Sequence, residues 1–245
     1  MRLDHATWPE VESYLQRSRG ILLPTGSTEQ HGPIGLIGTD AICAELIAAQ
    51  AARQADALVA PTLAYTPAPF NMAFPGTLSL SGAVFEQVVA ELFQGLTAHG
   101  FRRIYVLNGH GANLAPLRSA ALGLPGGTVR VRSWWNFDAV NALRQAYYGD
   151  WEGMHATPSE VAITQAAVRI VSDPAADAPP VKLTQDYIAA HSGDRHGPPD
   201  QHRAAFPDGR VGSHSALARP EHGHALLNAA VAAVVQDYRA FCASC

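Results

Sequence analysis

The sequence predicts an α/β fold in which a mostly parallel sheet is covered by helices on both faces. Three observations point there. Short apolar runs alternate with longer amphipathic stretches; the runs are continuous rather than alternating, as in strands buried on both sides; and polar, glycine-bearing segments follow two of them, where such sheets hold ligands.

The elements follow in order. Thr7-Trp8-Pro9-Glu10 is a capping box that opens a short helix ending near Gly20. Ile21-Leu22-Leu23-Pro24 predicts a buried strand. From Asp40 to about Gln54, alanine and spaced apolar residues predict a helix. Ala57-Leu58-Val59-Ala60-Pro61 reads as another buried strand, and Gly82 to His99 as an amphipathic helix. Arg103-Ile104-Tyr105-Val106-Leu107 is the clearest strand and stops at Asn108-Gly109-His110. A helix from about Asn113, a strand from Thr128 to Ser133, a helix from Phe137 to Tyr148 and a helix starting near Thr157 complete the alternation. From Ser172 to Arg219 the pattern decays into Pro, Gly, Asp and His without a period. Within a single domain over 1–245 this reads as a functional or subunit-contacting loop rather than a linker. A final helix, about Pro220 to Phe241, carries an Ala/Val/Leu stripe that docks on the core.

With 47% of its 245 residues hydrophobic, the chain can bury a sizeable core, and no apolar run reaches membrane-spanning length. The N-terminus lacks the basic-then-apolar pattern of a signal peptide. A net charge of -4 and only isolated basic pairs, Arg102-Arg103 and Arg130-Val131-Arg132, exclude a broad nucleic-acid face; these arginines read as solvated strand edges. Cys43, Cys242 and Cys245 make neither a disulfide framework nor a thiolate zinc site, and the terminal Cys-x-x-Cys reads as a frayed tail. A cytoplasmic setting is expected.

Chemistry concentrates in three segments. Gly26-Ser27-Thr28-Glu29-Gln30-His31-Gly32-Pro33, followed by Gly38-Thr39-Asp40, places two carboxylates and an imidazole directly after the first strand. In an extended segment Glu29 and His31 share a face, and Asp40 returns to them through a short loop. Such donors suit zinc, manganese or iron held for reaction. Asn108-Gly109-His110-Gly111-Ala112-Asn113 puts His110 at a strand end; alone it would bond a nearby carbonyl, and beside Glu29, His31 and Asp40 it reads as a ligand. In His155-Ala156-Thr157-Pro158-Ser159-Glu160, Thr157, Pro158 and Glu160 form a capping box, so Glu160 reads either as a cap or as a ligand, and His155 as an acid or base reaching over the centre. Trp134 and Trp135 either wall a flat pocket or fill core. The tail histidines, His191, His196, His202, His214, His222 and His224, read as solvated surface.

These segments resemble the creatininase (creatinine amidohydrolase) family, whose signatures run Glu-Gln-His-Gly-Pro…Thr-Asp, Asn-Gly-His-Gly-x-Asn and His-Ala-x-x-x-Glu. Phe74-Pro75-Gly76-Thr77 and the tail Pro207-Asp208-Gly209-Arg210-Val211-Gly212-Ser213 with Pro220-Glu221-His222-Gly223 resemble further family segments, so the likeness covers almost the whole chain. It implies a three-layer αβα sandwich and two divalent ions, zinc first, manganese or iron otherwise. Glu29 and His110 would hold one ion and His31 the other, with Asp40 bridging. Creatininase has a Glu where this chain has Ala112, and Glu160 is the candidate replacement. Trp151 and Glu152 match in part the family's Trp and Asp before its catalytic His, while Pro69-Phe70 stands where many members have Glu-His before the Phe-Pro-Gly-Thr turn, and His214-Ser215 where the tail usually has Asp-Pro. The resemblance implies a ring-like homo-oligomer, a hexamer, and hydrolysis of a non-peptide C–N bond in a small amide, with His155 passing a proton to the leaving nitrogen. Two alternatives are a peptidase trimming a modified precursor peptide and a metal-containing binding protein without turnover.

Overall fold

The computed structural model describes residues 1–243. Its sheet is built from β1 (Gly20–Thr25), β2 (Leu58–Val59), β3 (Arg103–Asn108) and β4 (Val129–Ser133), all parallel, in the order β2-β1-β3-β4. β1 and β3 run side by side over six residue pairs, from Gly20 opposite Arg103 to Thr25 opposite Asn108. The chain leaves β1 for β2 on one side and then returns to β3 on the other. The carboxyl ends of β1 and β3 therefore flank the point where strand order reverses, which in open α/β sheets is where a crevice forms.

Side chains alternate between two helical layers. Ile21 and Leu23 of β1 with Ile104 and Val106 of β3 pack against Tyr14 of α1 (Trp8–Arg17), Phe85, Val89 and Phe93 of α3 (Gly82–Ala98) and Leu117 of α4 (Leu114–Ala121). Leu22, Tyr105 and Leu107 face the opposite layer. That layer holds α2 (Thr39–Ala55), α5 (Asp138–Tyr148), α6 (Pro158–Ala167) and the long α9 (Pro220–Ala243). The result is the expected αβα sandwich.

The predicted elements fall within a few residues of their expected ends. β2 is shorter than the apolar run around it, because Pro61 has no N–H to extend a ladder. The region 172–219 is less irregular than expected: it folds α7 (Gln185–His191) and α8 (Pro199–Ala205), each too short to show a hydrophobic period. The paired arginines are not free strand edges. Arg130 and Arg132 bond Asp237 of α9, and Arg103 Nε donates to Phe241 O. Cys43 is buried in α2, and Cys242 lies on α9; Cys245, the other half of the terminal Cys-x-x-Cys, lies outside the described residues. Among the described residues no helix is long and apolar enough to cross a membrane.

Candidate metal centre

Glu29, His31, Asp40, His110, His155 and Glu160 converge beyond the carboxyl ends of β1 and β3, and all six are buried. Glu29 and His31 come from the loop after β1. Thr28 and His31 each make a β-bridge, to Leu78 and Gly35, and the turn begins only at Gly32; the His31 ring is aimed by donating Nδ1–H to the Glu29 carbonyl at 3.1 Å. Gln30 N donates to Thr77 Oγ1 in the Phe-Pro-Gly-Thr turn, which holds the loop from outside. Asp40 sits in the first turn of α2, where Ser27 Oγ donates to its Oδ2 at 2.8 Å. His110 follows β3, its backbone fixed on both sides by the Asn108 amide.

Ring tautomers follow from geometry. A carbonyl can only accept, so His110 Nε2, 2.7 Å from Pro67 O, must carry the proton. His110 Nδ1 is then bare, 3.0 Å from Glu29 Oε1 and 2.9 Å from Asp40 Oδ2. His31 Nε2 is bare likewise, 2.9 Å from Asp40 Oδ1 and 3.8 Å from Glu160 Oε1. Among the described residues three sets of donors lie close enough to share an ion, Glu29–His31–His155, Glu29–Asp40–His110 and His31–Asp40–Glu160; the last two form a pair of subsites that share Asp40, with one oxygen in each.

Lone pairs face lone pairs in both subsites, and something positive must lie between them. Without a metal it must be a proton. Burial opposes charge on His31, but the Asp40 carboxylate overrides it and pushes the ring up to about 10; His110, beside Glu29 and Asp40, is raised as well. Burial pushes Glu160 up to about 8. Glu29 Oε1 is fully buried and accepts no hydrogen bond. Bare imidazole nitrogens, carboxylates and an orphaned oxygen are the donor set that divalent zinc, manganese or iron takes. The residues fit such ions, and each imidazole carries the backbone-carbonyl partner typical of metal-binding histidines.

His155 closes the centre from the other side. Its Nε2 lies 2.7 Å from Gln30 O and so donates there, leaving Nδ1 3.8 Å from Glu29 Oε1. Ala156, next in the chain, has φ of 57°, a left-handed conformation costing about 1–2 kcal/mol that persists because the bridge from His155 to Val211 and the following helix cap hold it. Burial lowers His155 to about 4, so its ring is neutral near pH 7. Glu160 Oε1 accepts from Thr157 N at 2.6 Å while facing His31, so the cap and the candidate ligand are one oxygen.

A cavity of about 260 Å³ opens onto Asp40, His110, His155 and Glu160, with Trp134, Trp135 and Arg144 on its wall. Trp134 therefore satisfies both readings, core and wall. Trp151 and Glu152 stand behind that wall. Glu152 Oε1 accepts from Arg144 Nε at 2.8 Å and from Ser159, and Trp151 packs against His214 with Lys182 over its ring. Among the tail histidines, His224 is exposed as expected, while His196, His202 and His222 need correction. His202 is buried, and the rings of His196 and His202 pack against Phe70 at 4.7 and 5.1 Å between centroids, while His222 stacks on Tyr147 at 4.0 Å. Their irregular spacing hid this because rings distant in sequence, Phe70 for His196 and His202 and Tyr147 for His222, organise them. Sequence reasoning also missed Asp194, which borders the cavity with Oδ2 3.7 Å from His110 Nδ1. No local pattern singles it out.

The family model described as creatinine amidohydrolase matches residues 4–238. The creatinine amidohydrolase of Pseudomonas putida is 30% identical over 200 residues, covering 71% of this chain and 77% of its own. The mycofactocin precursor peptide peptidase of Mycolicibacterium smegmatis is 37% identical over 106 residues, 41% of this chain and 42% of its own. A solved structure described as creatininase Mn superposes with a TM-score of 0.74 at 25% identity, covering 99% of this chain and 98% of that one.

Proposed function

The chain belongs to the creatininase family of hydrolases, and on that premise we propose that it is a dinuclear metal-dependent amidohydrolase cleaving a non-peptide C–N bond of a small nitrogenous metabolite. The observation that carries this reading is Asp40, whose two oxygens face two imidazoles that are each locked in the metal-accepting tautomer. Glu29, Asp40 and His110 would hold one ion, and His31, Asp40 and Glu160 the other. Bound there, divalent ions would supply an activated water and Lewis-acid polarisation of the substrate carbonyl. Zinc is our first choice, with manganese or iron also suited to these donors.

The chain's own groups do the rest. His155 is neutral near pH 7, with Nδ1 turned toward Glu29, so it enters the reaction as a proton acceptor and can then return the proton to the leaving nitrogen. Trp134 and Trp135 offer flat apolar faces beside the centre and exclude water from one side of the substrate. A ring-like homo-oligomer in the cytoplasm, acting on a small molecule rather than nucleic acid or membrane, completes the proposal.

A second reading, trimming of a modified precursor peptide, draws support from the match to the mycobacterial peptidase. One experiment separates the two. Metal-stripped protein is reloaded with zinc, manganese or iron, and hydrolysis is followed on small amides, lactams and formamides beside peptides. Turnover of the small compounds alone supports the leading reading; turnover confined to peptides replaces it with the second.

A further inference from the structure

We propose that Asp194 is a positioning carboxylate of the metal centre, supporting the ion at the Glu29–Asp40–His110 subsite from the turn that follows α7. This rests on the metal-centre reading above and adds a residue from a segment that local sequence patterns left unassigned.

The placement is specific. Asp194 Oδ2 accepts from Ala112 N at 2.9 Å and stands 3.7 Å from His110 Nδ1, the bare ring nitrogen that also faces Glu29 and Asp40. The side chain is only 11% exposed. Backbone conformation is committed to the purpose: Gly193 and Asp194 both have positive φ, 76° and 55°, a rare succession that delivers the carboxylate to the tip of the turn. A Cβ on Gly111 would lie 2.3 Å from Asp194 Oδ2, so the absence of a side chain there is what admits the carboxylate.

Three carboxylates, Asp194, Glu29 and Asp40, surround one imidazole nitrogen, His110 Nδ1, at 3.7, 3.0 and 2.9 Å. Glu29 Oε1, fully buried, still lacks a hydrogen-bond donor. Two divalent ions would answer all of this: their four positive charges match Glu29, Asp40, Glu160 and Asp194. Asp194 lies outside the sets of donors close enough to grip one ion together, so it acts by charge and by fixing the Gly111–Ala112 turn that carries His110. Groups in that outer position typically set metal affinity by 10- to 100-fold.

Asp194→Asn tests the charge alone, because Asn keeps the size and can still accept from Ala112 N. Metal-free wild-type and variant protein are titrated with zinc in competition with a chelator, with circular dichroism and thermal unfolding of both ion-free forms as a check on folding. Wild type should bind two equivalents, and D194N should hold one of them at least 10-fold more weakly with ion-free unfolding unchanged. Gly111→Ala, which evicts the carboxylate without altering it, should weaken the same equivalent. Equal affinities in D194N and wild type would overturn this inference and leave the dinuclear reading standing. A wild-type protein that takes up no zinc, manganese or iron would end both.

Discussion

Asp40 Oδ2 lies 2.9 Å from His110 Nδ1, with Oδ1 of the same carboxylate 2.9 Å from His31 Nε2. One side chain in the first turn of α2 thus links the loops after β1 and β3. Asp40→Asn keeps the shape but removes the charge and one oxygen. At least one of two metal equivalents should be lost and hydrolysis abolished, with far-UV circular dichroism unchanged. Elemental analysis of the purified variant checks it, and retention of two full equivalents would contradict the bridging role.

Glu160 has two duties on one oxygen, capping Thr157 N and facing His31. Gln also completes a capping box, so Glu160→Gln separates them. Unfolding free energy of the ion-free protein should change by no more than about 0.5 kcal/mol, while zinc affinity drops at least tenfold. If affinity holds and only stability falls, Glu160 is a cap and nothing more.

Chelation should destabilise the fold. An ion present at a thousand times its Kd stabilises the native state by about 4 kcal/mol, and a domain this size shifts its Tm by roughly 2–4 °C per kcal/mol. Dialysis against a strong chelator should therefore lower the Tm by about 10 °C, and added zinc should restore it. A Tm indifferent to both treatments would mean that no ion is bound by the folded state.

What was legible in the chain is what local chemistry encodes. The capping boxes at Thr7 and Thr157 fixed two helix starts within a residue, because side-chain and backbone partners lie three positions apart. β1 and β3 were legible as apolar runs because both faces are covered, and their polar ends located Glu29 and His110. Asp194, His196 and His202 were not, since their partners (Ala112, His110 and Phe70) are brought to them only by the tertiary fold. Glu152 shows the same limit from the other side: motif position suggests a substrate contact, and the fold adds what the motif does not encode, that Arg144 and Ser159 engage its Oε1.

Asp237 on α9 ties that helix to the sheet. It accepts from Tyr105 OH at 2.8 Å and Arg132 Nε at 3.1 Å, with Arg130 Nη1 at 2.8 Å from its other oxygen. Burial alone would raise its pKa, but the Arg132 and Tyr105 hydrogen bonds with the two guanidinium charges outweigh it and hold the carboxyl below its ordinary value. A carboxylate whose folded pKa is depressed stabilises the protein above its unfolded pKa, and this is lost as pH falls through the folded one. Asp237→Asn should cost about 1–2 kcal/mol at pH 7, with the gap to wild type closing below about pH 4. Denaturant unfolding at pH 7, 5 and 3 measures it; a gap that persists undiminished at pH 3 would mean the cost is steric rather than ionic.

Gly223, in the first turn of α9, lies directly against the backbone of α6. A Cβ there would lie 2.0 Å from Ala162 O and 2.5 Å from Ala162 C, backbone atoms that cannot rotate away. Gly223→Ala would gain helix propensity of about 1 kcal/mol, yet the clash forces the two helices apart and loosens Leu226, Leu227 and Ala230 in the core. The balance should be a loss of about 2–3 kcal/mol in unfolding free energy. Because α6 opens with Thr157 and Glu160, the displacement should also reach the centre, and zinc affinity of the folded variant should fall. A variant at least as stable as wild type would show that the propensity gain wins and that this crossing has slack, which would also weaken the case that α6 positions Glu160 rigidly.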